Sequence, residues 1–287
     1  MHILVSLFHT TIDLPSLYVF DSDLNPVLKF ANEYRNIKGL FLSKSFIYAG
    51  YKDENNDCWL LIFSKQFFKL VNKCLLINTI DIHSIYITNN LLYVVSSGTN
   101  SIYVYKIDNL ENLNKANPIS NIKTLITDID NEDILHLNSI YIKENNDLFI
   151  TGFGGKKQGE WNKECNGFIL NIKQNIVLLD GIFHPHSLFF RDSDMWFCES
   201  GKKRVYKNKE IVVDKADGYT RGLALSENGK FLLLGTSTSR IYGQEEVDLK
   251  TSGVHKFEIN EKSFLVPVKS FYFKDTQAEI YDLIELR

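Results

Sequence analysis

The stretch "IHSIYITNNLLYVVSSG", residues 82–98, places two runs of branched and aromatic residues on either side of Asn89 and Asn90 and closes on small residues. It reads as two antiparallel strands joined by a polar turn, because such residues fit a pleated sheet and Asn tolerates turn conformations. The same pattern recurs further along the chain. "IKENNDLFI" (142–150), "FRDSDMWFC" (190–198) and "LSENGKFLLLG" (225–235) are further hairpins of this kind.

A short motif opens each hairpin. It appears as "IKGLFL" from Ile37, "IHSIYI" from Ile82, "LNSIYI" from Leu137, "PHSLFF" from Pro185, "TRGLAL" from Thr220 and "IYDLIEL" from Ile280. The second positions are Lys38, His83, Asn138, His186, Arg221 and Tyr281, at intervals of 45, 55, 48, 35 and 60 residues. Such intervals suit four-stranded propeller blades with variable loops. The sixth motif reaches the C-terminus with one strand, and "HILVSLF", "SLYVFD" and "PVLKF" near the N-terminus supply three more. The expectation is an all-β, six-bladed β-propeller closed by pairing of the N- and C-terminal strands, which removes exposed sheet edges. It forms one domain over 1–287, with blades at about 37–78, 82–128, 136–180, 185–213, 219–275, and 278–287 plus 1–30. A β-sandwich explains the alternation but not the sixfold spacing.

Composition narrows the partners. A net charge of -3 over 287 residues argues against a broad nucleic-acid surface. No stretch approaches the ~20 apolar residues of a membrane helix. "MHILVSLFHTT" has no basic leader and reads as a strand, so the expected location is cytoplasmic, with no membrane partner. Cys58, Cys74, Cys165 and Cys198 lie far apart without a CxxC and read as reduced, mostly buried thiols.

In a propeller the innermost strand of each blade begins at one face and lines the channel. The six second positions therefore ring one mouth, with His136 and Asp282 beside them. A rim of Ser96, Ser97, Thr151, Glu199, Ser200, Thr236, Ser239 and Arg240 surrounds them. The Gly-rich insertion "GFGGKKQGEWNKECNG" (152–167) reads as a mobile lid, and "TSTSRIYGQEEVDLKTSG" (236–253) as a second cover. The first lacks the GxxxxGK[ST] pattern of a phosphate loop.

Seven ordered stretches, "DIHSIYI", "LHLNSIYI", "HPHSLFF" with "WFCESG", "GYTRGLAL", "LLLGTSTSR", "SGVHKFEI" and "AEIYDLIEL", resemble a family of uncharacterised bacterial conserved hypothetical proteins expected to be β-propellers. The resemblance runs from about residue 80 to the end. It implies that His83, His136, Asn138, His186, Ser187, Arg221, Gly222, Arg240, Tyr281 and Asp282 occupy signature positions, and it supplies no reaction. His184 departs from the apolar residue usual in the family, and Ser239 replaces a proline. In the pair "HPH", the repeat selects His186, while His184 falls in the preceding loop and either reaches the rim or faces solvent.

Among chemistries, acid/base catalysis on an anionic ligand fits these residues best. His83, His186 and Tyr281 are the proton carriers, and Arg221 and Lys38 hold a carboxylate or stabilise developing charge. Asn138, His136, Arg240, Asp282 and Glu199 complete the expected ligand contacts. A lyase, epimerase or hydrolase acting on an acidic sugar or similar metabolite suits this set. No cofactor is expected. A divalent metal on His83, His186 and Asp282 is the weaker alternative, since Lys38 and Arg221 oppose a cation. Ser84, Ser139 and Ser187 recur at one repeat position, as structural hydroxyls would, and no GxSxG elbow exists. The competing class is a non-catalytic interaction propeller.

Overall fold

A computed structural model describes residues 1–9, 14–108, 112–123, 132–155, 166–238, 252–260, 265–273 and 278–287. Its strands run, in chain order, β1 (His2–Phe8), β2 (Leu17–Phe20), β3 (Pro26–Phe30), β4 (Ile37–Leu42), β5 (Phe46–Lys52), β6 (Cys58–Ser64), β7 (Leu70–Leu76), β8 (Ile82–Thr88), β9 (Leu91–Ser96), β10 (Ser101–Lys106), β11 (Lys115–Ala116), β12 (Ser120–Lys123) and β13 (Leu137–Ile142). They continue with β14 (Leu148–Gly152), β15 (Gly167–Asn171), β16 (Ile176–Ile182), β17 (Pro185–Arg191), β18 (Asp194–Glu199), β19 (Arg204–Lys207), β20 (Glu210–Val213), β21 (Tyr219–Leu225), β22 (Phe231–Ser237), β23 (Gly253–Ile259), β24 (Leu265–Tyr272) and β25 (Glu279–Leu286).

These strands form six sheets, the blades of a β-propeller. The chain divides into two compact units, 38–185 and 1–37 with 186–287. The unit 38–185 holds β4 to β7, β8 to β10 with β12, and β13 to β16, and the two-residue β11 adds in parallel to the outer edge of β7. The other unit holds β17 to β20, β21 to β24, and a sheet ordered β25-β1-β2-β3. In that last sheet the chain ends pair antiparallel, from His2 opposite Leu286 to Ser6 opposite Asp282. The closure expected from the incomplete sixth repeat is present.

Burial explains the strand patterns. Blades pack face to face, so middle strands such as β5, β14 and β22 are buried on both faces and carry near-continuous apolar runs. The outermost strands β16 and β24 are largely exposed. The core lies between blades. One cluster joins Leu60, Ile62, Leu92 and Val94, and another joins Val95, Ile102, Leu137 and Ile150. In the other unit, Trp196 and Val205 pack with Leu232 and Leu234, and Ile3 and Val5 pack with Leu233 and Ile280.

The third position of the opening motif is the seam between blades. A Cβ on Gly39 would stand 2.7 Å from the Ser84 Cα, so only glycine fits there. Gly222 takes φ +79 and donates its N–H to Ser187 Oγ at 2.8 Å. Ser139 bonds Thr151 Oγ1 through both its N–H and its hydroxyl, at 3.0 and 2.9 Å. Ser139 and Ser187 thus serve backbone and side-chain packing, as their repetition suggested.

The buried thiols are inert. Burial pushes Cys74 up to about 11 and Cys198 up to about 12, so neither is a thiolate near neutrality. Cys58 is also buried and free, and Cys165 lies outside the described residues.

Candidate functional site

All six second-position side chains are buried, between 3% and 8% exposed, although each is polar. A polar group taken from water must find partners. Following those partners separates structural residues from candidate binders.

In the unit 38–185, Asp81 organises the first group. Its Oδ1 accepts from Lys38 Nζ at 2.6 Å and from Lys52 Nζ at 3.5 Å. His83 Nδ1 lies 3.0 Å from the Asp81 carbonyl oxygen and 3.5 Å from Oδ2. Burial opposes ionisation of Asp81, but His83, Lys38 and Lys52 outweigh it and hold the carboxyl far below the usual carboxylate range. Lys38 is therefore neutralised within the fold.

His83 meets His136 edge to face, with ring centroids 4.7 Å apart. His136 Nδ1 lies 2.8 Å from Asp133 Oδ2, and Asn138 Nδ2 donates to the His136 carbonyl at 2.7 Å. His136 also packs on Phe153, which stacks on His184 at 4.2 Å and 13°. His184 is thus part of an aromatic row in this unit.

The residue immediately before the inner strand is left-handed in three successive blades: Asp81 (φ 57), His136 (φ 45) and His184 (φ 56). Asp, Asn and His are enriched in that region. The repeated Asp or His at this point has a backbone reason as well as a chemical one.

In the other unit, His186 Nδ1 lies 2.8 Å from Ser200 Oγ, whose own hydrogen goes to the Thr220 carbonyl. Ser200 therefore accepts from Nδ1–H, which leaves the lone pair of His186 on Nε2. The Ser187 to Gly222 bond holds β17 and β21 together one residue beyond His186 and Arg221. The guanidinium carbon of Arg221 lies over the Tyr281 ring, 3.3 Å from its centroid. Among the described residues it has no hydrogen bond and no ion pair.

Two of the remaining expected residues have partners within the fold. Glu199 is tied to Lys202 Nζ at 2.8 Å and to Tyr206 Oη at 3.0 Å. Asp282 Oδ1 accepts from the Leu283 N–H at 2.9 Å, and its own N–H donates to Ser6 Oγ at 3.0 Å. Arg240, Ser239 and the centres of both insertions, 156–165 and 239–251, lie outside the described residues. Among the described residues no three His, Cys, Asp or Glu side chains are placed to hold a metal ion, and the set His83, His186 and Asp282 is not such a group. Nor is any described helix long and apolar enough to cross a membrane.

Sequence reasoning missed Asp81, Asp133, Lys52 and Phe153. Asp81 and His136 each stand two residues before a second position, a signal that a comparison of the repeats contained. Lys52 and Phe153 carry no such periodicity.

The sequence model of a family described as "Domain of unknown function (DUF4915)" matches residues 62–287. No curated protein matches the chain. Among solved structures, a protein of unknown function from Bacteroides caccae aligns at TM-score 0.60 and 12% identity, covering 98% of this chain and 97% of that one. A Bacteroides fragilis NCTC 9343 protein named "putative 6-phosphogluconolactonase" aligns at 0.56 and 15%, covering 95% and 82%. A chain of a nidogen/laminin complex aligns at 0.63 and 13%, covering 98% and 97%. At these identities the likeness shows the fold, which is shared by proteins with very different names.

Proposed function

The chain belongs to the DUF4915 family, and from that premise, which carries no reaction with it, we propose that it binds a small anionic metabolite through Arg221, with His186 as proton acceptor. The observation that carries this reading is the guanidinium itself. It is 8% exposed, rests on Tyr281, and lacks a carboxylate, carbonyl or hydroxyl partner among the described residues. A buried cation with five N–H donors is unfavourable unless an acceptor arrives. A carboxylate or phosphate supplies two acceptors in the matching geometry.

His186 adds the chemistry. Its tautomer is set by Ser200, so Nε2 can take a proton from a carbon or hydroxyl of a ligand anchored nearby, while Arg221 offsets negative charge that develops. That combination serves a lyase, an epimerase or a hydrolase. An acidic sugar is the ligand class to try first, and the lactonase name borne by two structural neighbours is a reason to include phosphorylated sugar acids.

The test is calorimetric titration of the whole protein with aldonic, uronic and phosphorylated sugar acids, using wild type, Arg221→Met and Arg221→Lys. Truncating one partner of a buried charge pair costs about 2–5 kcal/mol, so Arg221→Met should bind at least tenfold more weakly. Arg221→Lys keeps the charge but loses the two-pronged geometry and should fall between. Without ligand, Arg221→Met should be at least as stable as wild type, because an unpaired buried charge is removed. Binding unchanged in Arg221→Met, or a loss of stability above about 2 kcal/mol, would make Arg221 a structural residue and end the proposal.

A further inference from the structure

We infer that the β6–β7 turn of the first blade is a docking tip for the surface of a bilayer containing anionic phospholipid. The tip belongs to the unit 38–185 and is independent of the Arg221 reading. Three observations carry it.

The first is what the turn exposes. Phe67 is 65% exposed, and Leu70 and Val71, at the start of β7, are 41% and 46% exposed. Asn72 Nδ2 donates to the Leu113 carbonyl at 2.8 Å, which brings Leu113, itself 41% exposed, alongside β7. Large apolar side chains thus meet water together at one end of the blade. The corresponding turns of other blades are polar at their tips: β2–β3 carries Asp21, Ser22 and Asp23, β15–β16 carries Lys173, Gln174 and Asn175, and β19–β20 carries Asn208 and Lys209.

The second is that the turn is tied in place. Ser64 takes the Phe67 N–H on its hydroxyl at 3.3 Å and the Phe68 N–H on its carbonyl at 2.8 Å, and its own N–H donates to the Lys69 carbonyl at 2.8 Å. The Lys65 N–H donates to the Ser45 carbonyl at 2.9 Å, which pins the turn to the β4–β5 turn beside it. Phe68 takes φ 53, a left-handed conformation that a bulky residue rarely adopts. An aromatic ring already exposed on a pinned turn gives up little conformational freedom on entering another phase.

The third is charge. Residues 64–76 carry Lys65, Lys69 and Lys73 and no Asp or Glu, and the β4–β5 turn adds Lys44. Lys73 sits over the Trp59 ring, 3.9 Å from its centroid. Lys44 and Lys69 are exposed and Lys65 is half-buried, on the same two turns that present Phe67. Apolar side chains among cations match a surface that is anionic at its headgroups and apolar beneath. A protein partner takes about 20–30 residues a side on a face of matching shape, whereas a projecting turn enters a fluid bilayer without one. Such a contact needs neither a spanning run nor a basic leader, the two features on which the expectation of no membrane partner rested.

The full-length protein is sedimented with vesicles of phosphatidylcholine alone and of phosphatidylcholine with phosphatidylglycerol at three to one, in low and high salt. Binding to the anionic vesicles should saturate, exceed binding to the neutral ones about tenfold and weaken with salt. Phe67→Ser and the Lys65→Gln/Lys69→Gln double variant should each weaken it about tenfold. Phe67→Trp should still bind, with emission that shifts to the blue and is quenched by brominated lipid beyond the wild-type response, which reports on the tip even if Phe67→Ser disturbs the turn. Arg221→Met should bind vesicles as wild type does, which separates this surface from the anion site. No binding to the anionic vesicles, equal binding to the neutral ones, unchanged binding in Phe67→Ser or in the lysine variant, or Phe67→Trp emission unmoved by vesicles would each overturn the inference. So would retention of poly-L-glutamate without vesicle binding, which would assign the patch to an acidic protein.

Discussion

Asp81→Asn probes the group that holds the first blade's opening to the second. The mutation leaves the shape and removes the charge facing Lys38 Nζ at 2.6 Å, where the lysine side chain is 8% exposed. At an effective dielectric constant of about 20, two unit charges at that distance attract by roughly 6 kcal/mol, and desolvation offsets much of it. Removing one member of a buried pair costs about 3–5 kcal/mol because the other charge stays buried. Asp81 is 22% exposed, which favours the lower end, so a loss of about 3 kcal/mol is expected. Lys38→Met keeps the apolar stem, and the Asp81→Asn/Lys38→Met double variant should recover about 1–2 kcal/mol of the sum of the single losses. Urea unfolding of the four proteins gives the coupling. The sign of its pH dependence also follows: the folded carboxyl titrates below its unfolded value, so the stabilisation is present above about pH 4 and is lost as pH falls towards the folded value. Additivity within about 0.5 kcal/mol, or an acid limb unchanged in Asp81→Asn, would refute the reasoning.

Gly39→Ala forces a Cβ to within 2.8 Å of the Ile85 nitrogen as well as 2.7 Å of Ser84 Cα. Backbone must shift, so urea unfolding should show a loss of about 1–3 kcal/mol, and a loss below about 0.5 kcal/mol would mean the seam yields easily. His255 is buried between Thr236 Oγ1 at 2.7 Å and Ser270 Oγ at 2.8 Å, and burial pulls its ionisation below the ordinary histidine value despite the Asp217 charge. The unfolded chain then binds the proton first, so stability should fall as pH drops below about 6.5, by up to about 1.4 kcal/mol per pH unit. In His255→Gln that component should vanish, and equal slopes between pH 7 and 5 would rule His255 out as its source.

The propeller was legible because each opening motif repeats a packing problem. Gly39, Ser84, Ser139, Ser187, Gly222 and Asp282 share one position, which must be small or able to bond the neighbouring backbone. The six buried second positions were legible for the same reason. What each does with its polarity was not. Lys38 looked like an anion ligand, yet Asp81 meets it, and Asp81 lies 43 residues further along. Glu199 looked like a rim ligand, yet Lys202 and Tyr206 satisfy it. Such pairings depend on rotamer and on approach between strands, and repeat spacing carries neither.

His184 and His186 make the point most sharply. The repeat assigns His186 to the inner strand, and its Nδ1 does meet a partner within its own blade, Ser200. His184 has the left-handed backbone that Asp81 and His136 also adopt, and its ring stacks on Phe153. Two residues of one tripeptide thus follow two different rules, one set by the inward face of a strand and one by the turn before it. If polar burial at the openings were only a property of wet channels, every buried polar atom there would have its partner within the fold. Lys38 meets that expectation through Asp81. Among the described residues Arg221 has no hydrogen-bond or ion-pair partner and rests on Tyr281 alone, and because an unmet buried donor is costly, that is where a ligand is to be sought first.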